Sequence, residues 1–281
     1  MNSINYIAIS TFFWYTMRMN TLIVQTNTLS AQHAKDAQFN AQIFPASHLH
    51  NHYEVFIPLS DGVEYVVGDS VYTLHAYDLL FIPPTVFHHP RSVQTPPYER
   101  FFLNFYVADV SKKLRSFLNE ANTHYAFTGN GLVKSTCKEL LALHERASAE
   151  DMEVAVKQFL NLLLLQMKYA SPAENVAQEI HPTLSKILQY IDEHLAEDLS
   201  AEALANVFFV SSSWIYQVFH NDLGIRLSGY VNNKRVLLAQ RLMQSGSPPT
   251  QVYLACGFQE YSTFYRQYTK RFGCSPKSDK M

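Results

Sequence analysis

The amino-acid sequence predicts an α+β chain: an N-terminal half of short strands followed by helices, then an all-α half of two helix-turn-helix units joined by a long helix. Three observations predict it. Short apolar runs bounded by turn residues fill residues 39–108. Apolar residues then recur at helical spacing from Val133 onward. The last hundred or so residues repeat themselves at an offset of 49.

The strands come first. From His50 to Leu59, Tyr53, Val55, Ile57 and Leu59 fall on alternate positions. His48, His50, His52, Glu54 and Phe56 fall on the other face, because strand side chains alternate with period two. Val63–Val67, Val71–Leu74, Asp78–Ile82 and Arg100–Val107 follow, separated by Asp61-Gly62, Gly68-Asp69 and Pro83-Pro84. Short strands at this spacing predict a sandwich or small barrel.

Helices follow. Val133–Arg146 and Met152–Lys168 carry apolar residues at helical spacing, and Leu162–Leu165 is apolar nearly all round. Such a helix needs cover on more than one side, from domain packing or a partner subunit. Ser171-Pro172 through His181-Pro182 reads as a linker, because two prolines and a polar stretch interrupt the pattern.

In the repeat, Ile215, Phe219 and Gly224 return as Phe264, Tyr268 and Gly273. Tyr216 pairs with Tyr265 and Gln217 with Arg266. Each copy reads as a short helix, a tight turn and a second helix ended by glycine. Ser200 is positioned to cap the first of these helices. The open face of the first copy's second helix shows Ser213, Trp214, Tyr216, Gln217 and His220. The matching face of the second copy shows Ser262, Tyr265, Arg266, Thr269 and Lys270. Between the copies runs Arg226 to Gln244, roughly 28 Å long as a helix. Successive major grooves on one side of a duplex lie about 34 Å apart. That match favours double-stranded DNA as the partner. Arg266 suits guanine, Gln217 suits adenine, and Lys234, Arg235, Lys270 and Arg271 suit phosphates. A helical protein-interaction module is the alternative that periodicity leaves open.

Charge is permissive. The whole chain has a formal net charge of −2, but residues 182–281 hold 10 Lys+Arg against 8 Asp+Glu. A length of 281 residues suits two domains. Cys137, Cys256 and Cys274 form no metal-ligand spacing, which predicts a reduced, cytoplasmic protein. No apolar run is long enough to span a membrane. Ile4 to Tyr15 lacks a basic start and a cleavage site, so the native start is expected at Met17 or Met19, with a short first strand as the alternative. No nucleophile–base motif or glycine-rich phosphate loop is present, so an enzyme is not expected.

The string Leu199-Ser200-x-Glu202-x-Leu204-Ala205, then Val210-Ser211-x-Ser213-x-Ile215, Phe219 and Gly224, resembles the first helix-turn-helix of the arabinose-regulator (AraC/XylS) family. Tyr230, Lys234-Arg235, Ala239 and Leu242 resemble its connecting helix. Cys256-Gly257-Phe258, Tyr261-Ser262-x-Phe264, Arg266 and Gly273-x-Ser275-Pro276 resemble its second unit. The resemblance covers about one hundred residues in order. It implies a bacterial transcription regulator in which Ser213, Tyr216, Gln217, Ser262 and Arg266 face the bases. Three departures stand out: His220 and Thr269 replace lysines, Tyr253 replaces an alanine, and the usual Tyr-Arg ending is missing.

His50-x-His52-Tyr53-Glu54, Gly62, Asp78-Leu79-Leu80, Pro83 and His88 resemble the family's sensor domain, a cupin-like β barrel followed by helices. The resemblance implies a cupin-like sensor barrel at 20–110, dimerisation helices at 111–170, a linker at 171–182 and the DNA-binding domain at 183–281. It also implies a homodimer and a small-molecule effector held by His50, His52, Glu54, Phe56 and His88. Tyr53, Phe56, Tyr65, Tyr72, Tyr77, Phe81 and Phe87 would suit stacking on a sugar. RNA polymerase is left open as a further partner. Imidazoles beside a carboxylate are also metal-ligand chemistry, and a cupin-type metal-binding enzyme or sensor is the rival reading. Glu54 lies only two residues after His52, a spacing that counts against it. No metal and no cofactor is therefore expected.

Overall fold

The computed structural model of the chain describes residues 20–37, 48–127, 131–170, 178–179 and 181–279. The expected start at Met17 or Met19 and most of the expected linker lie outside them. The chain folds as two compact units that meet in sequence at Gln178 and Glu179.

The N-terminal unit holds strands β1 (Asn20–Gln25), β2 (Leu29–Asp36), β3 (Tyr53–Pro58), β4 (Val63–Val67), β5 (Ser70–Leu74), β6 (Leu79–Ile82), β7 (His88–Val93), β8 (Tyr98–Phe105) and β9 (His124–Tyr125). One sheet runs β1-β2-β8-β3-β6-β9. A second sheet places β4 between β5 and β7. Among the described residues, neighbouring strands pair antiparallel. Helices α1 (Gly131–His144) and α2 (Ala149–Tyr169) follow. Ser148 caps α2 by accepting from the Asp151 N–H at 3.1 Å.

Period-two alternation sorts the larger sheet into two faces. Val55, Ile57, Phe81, Phe101 and Leu103 pack against Val156, Phe159, Leu160, Leu163 and Leu164 of α2. Phe56, Leu80, Ile82 and Phe102 turn the other way, onto Val63, Tyr65, Val67 and Leu74 of the smaller sheet. The result is three layers: sheet, sheet, helices. Each fully buried aliphatic or aromatic side chain contributes about 1.5–3 kcal/mol. The apolar Leu162–Leu165 segment finds its cover within the unit, except that Leu165 stays exposed.

Two expectations read differently in the structure. Among the described residues the strands pair as two separate sheets, and a closed barrel is not seen. Strand β3 begins at Tyr53, so His50 and His52 precede it. Strands β2 and β7 did not stand out in the sequence because both are polar (LSAQHAKD and HHPRSV). Pro90 fits β7 because that strand is at the edge of its sheet among the described residues, where it pairs with β4 across an irregularity at Glu64–Tyr65.

From Pro182 on, the described residues of the C-terminal unit form helices: α3 (Pro182–Glu193), α4 (Ala201–Phe208), α5 (Ser212–Asn221), α6 (Leu227–Gln244), α7 (Pro249–Ala255) and α8 (Tyr261–Phe272). Among the described residues of the chain, no helix is long and apolar enough to cross a membrane. Helix α6 serves two cores. Near its start, Tyr230 meets Phe219 of α5 edge-on, with ring centroids 5.5 Å apart. Further along, Val236 and Ala239 pack with Val252, Cys256, Phe258, Phe264 and Tyr268. A helix with two buried sides thus joins the two helix-turn-helix units.

Candidate nucleic-acid interface and a buried histidine cluster

Helix α5 forms where Ser211 accepts from the Trp214 N–H at 3.1 Å. Ile215, Val218 and Phe219 then face inward. That leaves Ser213, Tyr216, Gln217 and His220 exposed in one stripe, at spacings of three, four and seven. Helix α8 repeats the arrangement. Phe264 and Tyr268 are buried, and Ser262, Tyr265, Arg266 and Lys270 are exposed. The exposed positions 213, 216 and 217 therefore return at 262, 265 and 266, in the 49-residue register of the repeat.

Four expected contact residues are placed differently. Trp214 is half-buried, its ring edge-on to His181 with centroids 5.0 Å apart. It braces the start of α3, where His181 caps the helix. Thr269 is half-buried, and its hydroxyl is sealed from solvent without a hydrogen-bond partner. Lys234 pairs with Asp192 at 2.8 Å. Arg235 donates to the carbonyls of Leu195 at 2.8 Å and Glu197 at 2.6 Å. Burial lowers the Arg235 pKa, opposed by Asp198. Arg235 is thus a brace between the first unit and the turn of the second. A Cβ added to Gly257, which has φ +84°, would lie 2.3 Å from the Leu195 carbonyl and 2.9 Å from Arg235. The junction requires glycine on both counts.

The departures also resolve. Tyr253 packs edge-on to Tyr261 at 5.5 Å and over Phe264. The tail closes through Asp279, which accepts from Gln240 at 3.0 Å and from the Tyr268 hydroxyl. One feature escaped the sequence reading. An open cleft of about 420 Å³ sets Tyr216, Gln217 and His220 beside Asn221, Arg226 and Ser228. Arg226 stands at the start of α6, whose first turn has no side-chain cap. An arginine just before a long helix was the available signal.

In the N-terminal unit, the turn before β3 carries a second cluster. His48 and His88 exchange backbone hydrogen bonds of 3.2 and 2.9 Å. The His50 ring lies 4.7 Å from that of His88 and stacks flat on His52 at 3.8 Å. Glu54 Oε2 stands 3.0 Å from His50 Nε2 and 3.7 Å from His88 Nε2. Burial lowers the His50 pKa, opposed by Glu54, and lowers that of His52 well below the ordinary value. Burial alone would raise the Glu54 pKa, yet hydrogen bonding to His50 and His88 holds it well below the usual carboxylate range. Three of the expected ligand-facing residues thus converge, namely His50, Glu54 and His88. His52 supports His50 from outside. Phe56 is buried and packs on Tyr65, with centroids 4.6 Å apart. His48, left out of the expected set, lies beside them, its ring 4.3 Å from that of His88.

Comparison with known proteins adds to this geometry. Residues 204–280 match a family model described as a helix-turn-helix domain. The chain is 26% identical over 147 residues to the probable transcriptional regulator LumQ of Photobacterium leiognathi, covering 44% of this chain and 59% of that protein. It is 26% identical over 151 residues to the HTH-type transcriptional activator RhaS of Salmonella schwarzengrund, covering 53% and 54%. The chain thus spans a little over half the length of the curated relatives it matches. Among solved structures it is similar to the DNA-binding domain of AdpA in complex with a target DNA, at 26% identity and a TM-score of 0.33, covering 35% and 89%. Residues 204–280 thus carry a helix-turn-helix domain, in a chain similar over part of its length to transcription regulators.

Proposed function

We propose that the chain is a transcription regulator that reads double-stranded DNA with α5 and α8. One observation carries this reading: two exposed polar stripes stand in the same register on two buried-core helices, joined by the 18-residue α6. On this reading Ser213, Tyr216, Gln217 and His220 face one stretch of major groove. Ser262, Tyr265, Arg266 and Lys270 face the next. Arg226 and Ser228 contact phosphate at the α6 start. Lys234, Arg235, Trp214 and Thr269 position the reader rather than touch the duplex.

The N-terminal unit is then the sensor. Its proposed parts are 20–110 for effector binding in a cupin-like pair of sheets and 111–170 for dimerisation, followed by a linker at 171–182 and the reader at 183–281. Exposed Val154, Leu165 and Tyr169 on α2 support a homodimer contact there. An effector regulates only by binding two states unequally. Cytoplasmic location and contact with RNA polymerase belong to the same proposal.

The test is selection of the full chain on a pool of random duplexes at fixed salt. The expected result is enrichment of two short motifs about ten base pairs apart. A folded chain that enriches nothing would sink the reading, and the helical protein-interaction module would replace it.

A further inference from the structure

We propose that Asp279, in the tail after α8, is a positioning residue for base reading: it locks α8 onto α6 and so sets where Arg266 meets the duplex. The inference rests on the reading of DNA proposed above and adds to it a residue that touches no base.

A difference between the two copies of the repeat carries the argument. Position 219 of the first unit returns as 268 of the second. Phe219 is fully buried and meets Tyr230 of α6 ring against ring. Tyr268 is equally buried but brings a hydroxyl into its core. Gln240 of α6 is a second buried polar side chain beside it. Buried polar groups left unpaired are costly, so this pair requires an acceptor. Asp279 supplies one. Its Oδ2 accepts from Gln240 Nε2 at 3.0 Å and from the Tyr268 hydroxyl. Burial, and then the Asp279 carboxylate, raise the Tyr268 pKa, so the hydroxyl keeps its proton and donates.

The tail is folded to hold that carboxylate. The Ser275 N–H donates to the Ser278 hydroxyl at 3.1 Å, and the Ser278 N–H donates to the Ser275 hydroxyl at 3.2 Å. The Asp279 N–H donates to the Ser275 carbonyl at 3.1 Å. One carboxylate oxygen thus ties together α6, α8 and the tail. A satisfied buried network specifies one arrangement, where apolar packing alone loses uniqueness before it loses stability. Tyr268 stands two residues after Arg266 and two before Lys270, so a slip of α8 against α6 moves both exposed cations. A bidentate contact from Arg266 to guanine needs placement within about 0.5 Å.

The experiment measures binding of the full chain to the duplex it selects, and to duplexes changed one base pair at a time in each motif. The variants are Asp279→Ala, Asp279→Asn and Tyr268→Phe, with melting curves to check folding. The wild type should discriminate against loss of the guanine facing Arg266 by roughly 5–150-fold. Asp279→Ala and Tyr268→Phe should each cut that discrimination about 2- to 10-fold and leave preference in the α5 motif unchanged. Both donors share Oδ2, so the single oxygen of asparagine can serve both, and Asp279→Asn should come within about twofold of wild type. If Asp279→Ala does not fold, Tyr268→Phe carries the same test, because phenylalanine already fills the matching position 219. A folded wild type that selects no motif overturns the DNA reading and this role with it. A wild type that selects both motifs, matched by Asp279→Ala at every base pair, overturns the role alone. So does an Asp279→Ala loss spread equally over both motifs, which a merely structural residue would produce.

Discussion

The two helix-turn-helix units present the same stripe by different means. In the first, Ser200 and Ser211 cap both helices through their side chains. In the second, α7 and α8 start at Pro248 and Glu260 with no side-chain cap. The first turn puts Phe209 in the left-handed region at φ 56°, whereas the second puts Gly257 there. From that residue to the next helix cap is two steps in the first unit and three in the second. The first unit is thus held by local hydrogen bonds, and the second by its core and the Arg235–Gly257 junction. Their chemistry differs as well. Helix α5 has no lysine or arginine, while α8 has Arg266, Lys270 and Arg271. Equivalent geometry therefore carries a neutral helix and a cationic one.

The largest expected effect tests the junction. Gly257→Ala puts a Cβ against a backbone carbonyl in a left-handed conformation and displaces the Arg235 hydrogen bonds. It should destabilise the C-terminal unit by at least about 3 kcal/mol in urea unfolding. A loss below about 1 kcal/mol would mean the junction yields easily.

Next comes the cationic reader. Arg266→Ala should cost about 1–3 kcal/mol at the selected duplex and relax preference at one base pair. Lys270→Ala should weaken all duplexes alike and lower the salt slope by about 1. Identical behaviour of the two variants would erase the division between reading and anchoring.

The caps set a smaller contrast. Ser211→Ala should destabilise by about 1 kcal/mol, and Glu260→Ala by a few tenths at most. Equal losses would contradict the account of how each unit is held. The smallest effect has the opposite sign. Phe209 is 96% exposed, so its ring gains little by folding. Relief of the left-handed strain outweighs the added freedom of glycine, and Phe209→Gly should stabilise by roughly 0.5–1 kcal/mol. A lower melting temperature would show that the ring packs on something.

What was legible in the sequence follows from what is local. Helix caps and helical periodicity depend on neighbours in sequence, so α2, α4, α5 and α8 were placed to within a few residues. The exposed stripes followed from the repeat. Sheet closure depends on pairing between distant strands, and no local pattern reveals whether a barrel shuts. The histidine register was misread for a related reason. Alternation was extended back through His52 and His50, but the strand begins only at Tyr53. Ahead of it the chain turns, and the bridge to His88 brings His48 in. Lys234 and Arg235 misled because charge on a helix reads as exposed, while their partners, Asp192, Leu195 and Glu197, lie about 40 residues away in sequence.

The most direct test of the central claim is duplex selection run in parallel on the wild type, Gln217→Ala and Arg266→Ala, all as full chains at one salt concentration. The account predicts two motifs about ten base pairs apart in the wild type, with each variant relaxing preference in a different motif. Two variants that select the same sequences as the wild type would contradict it.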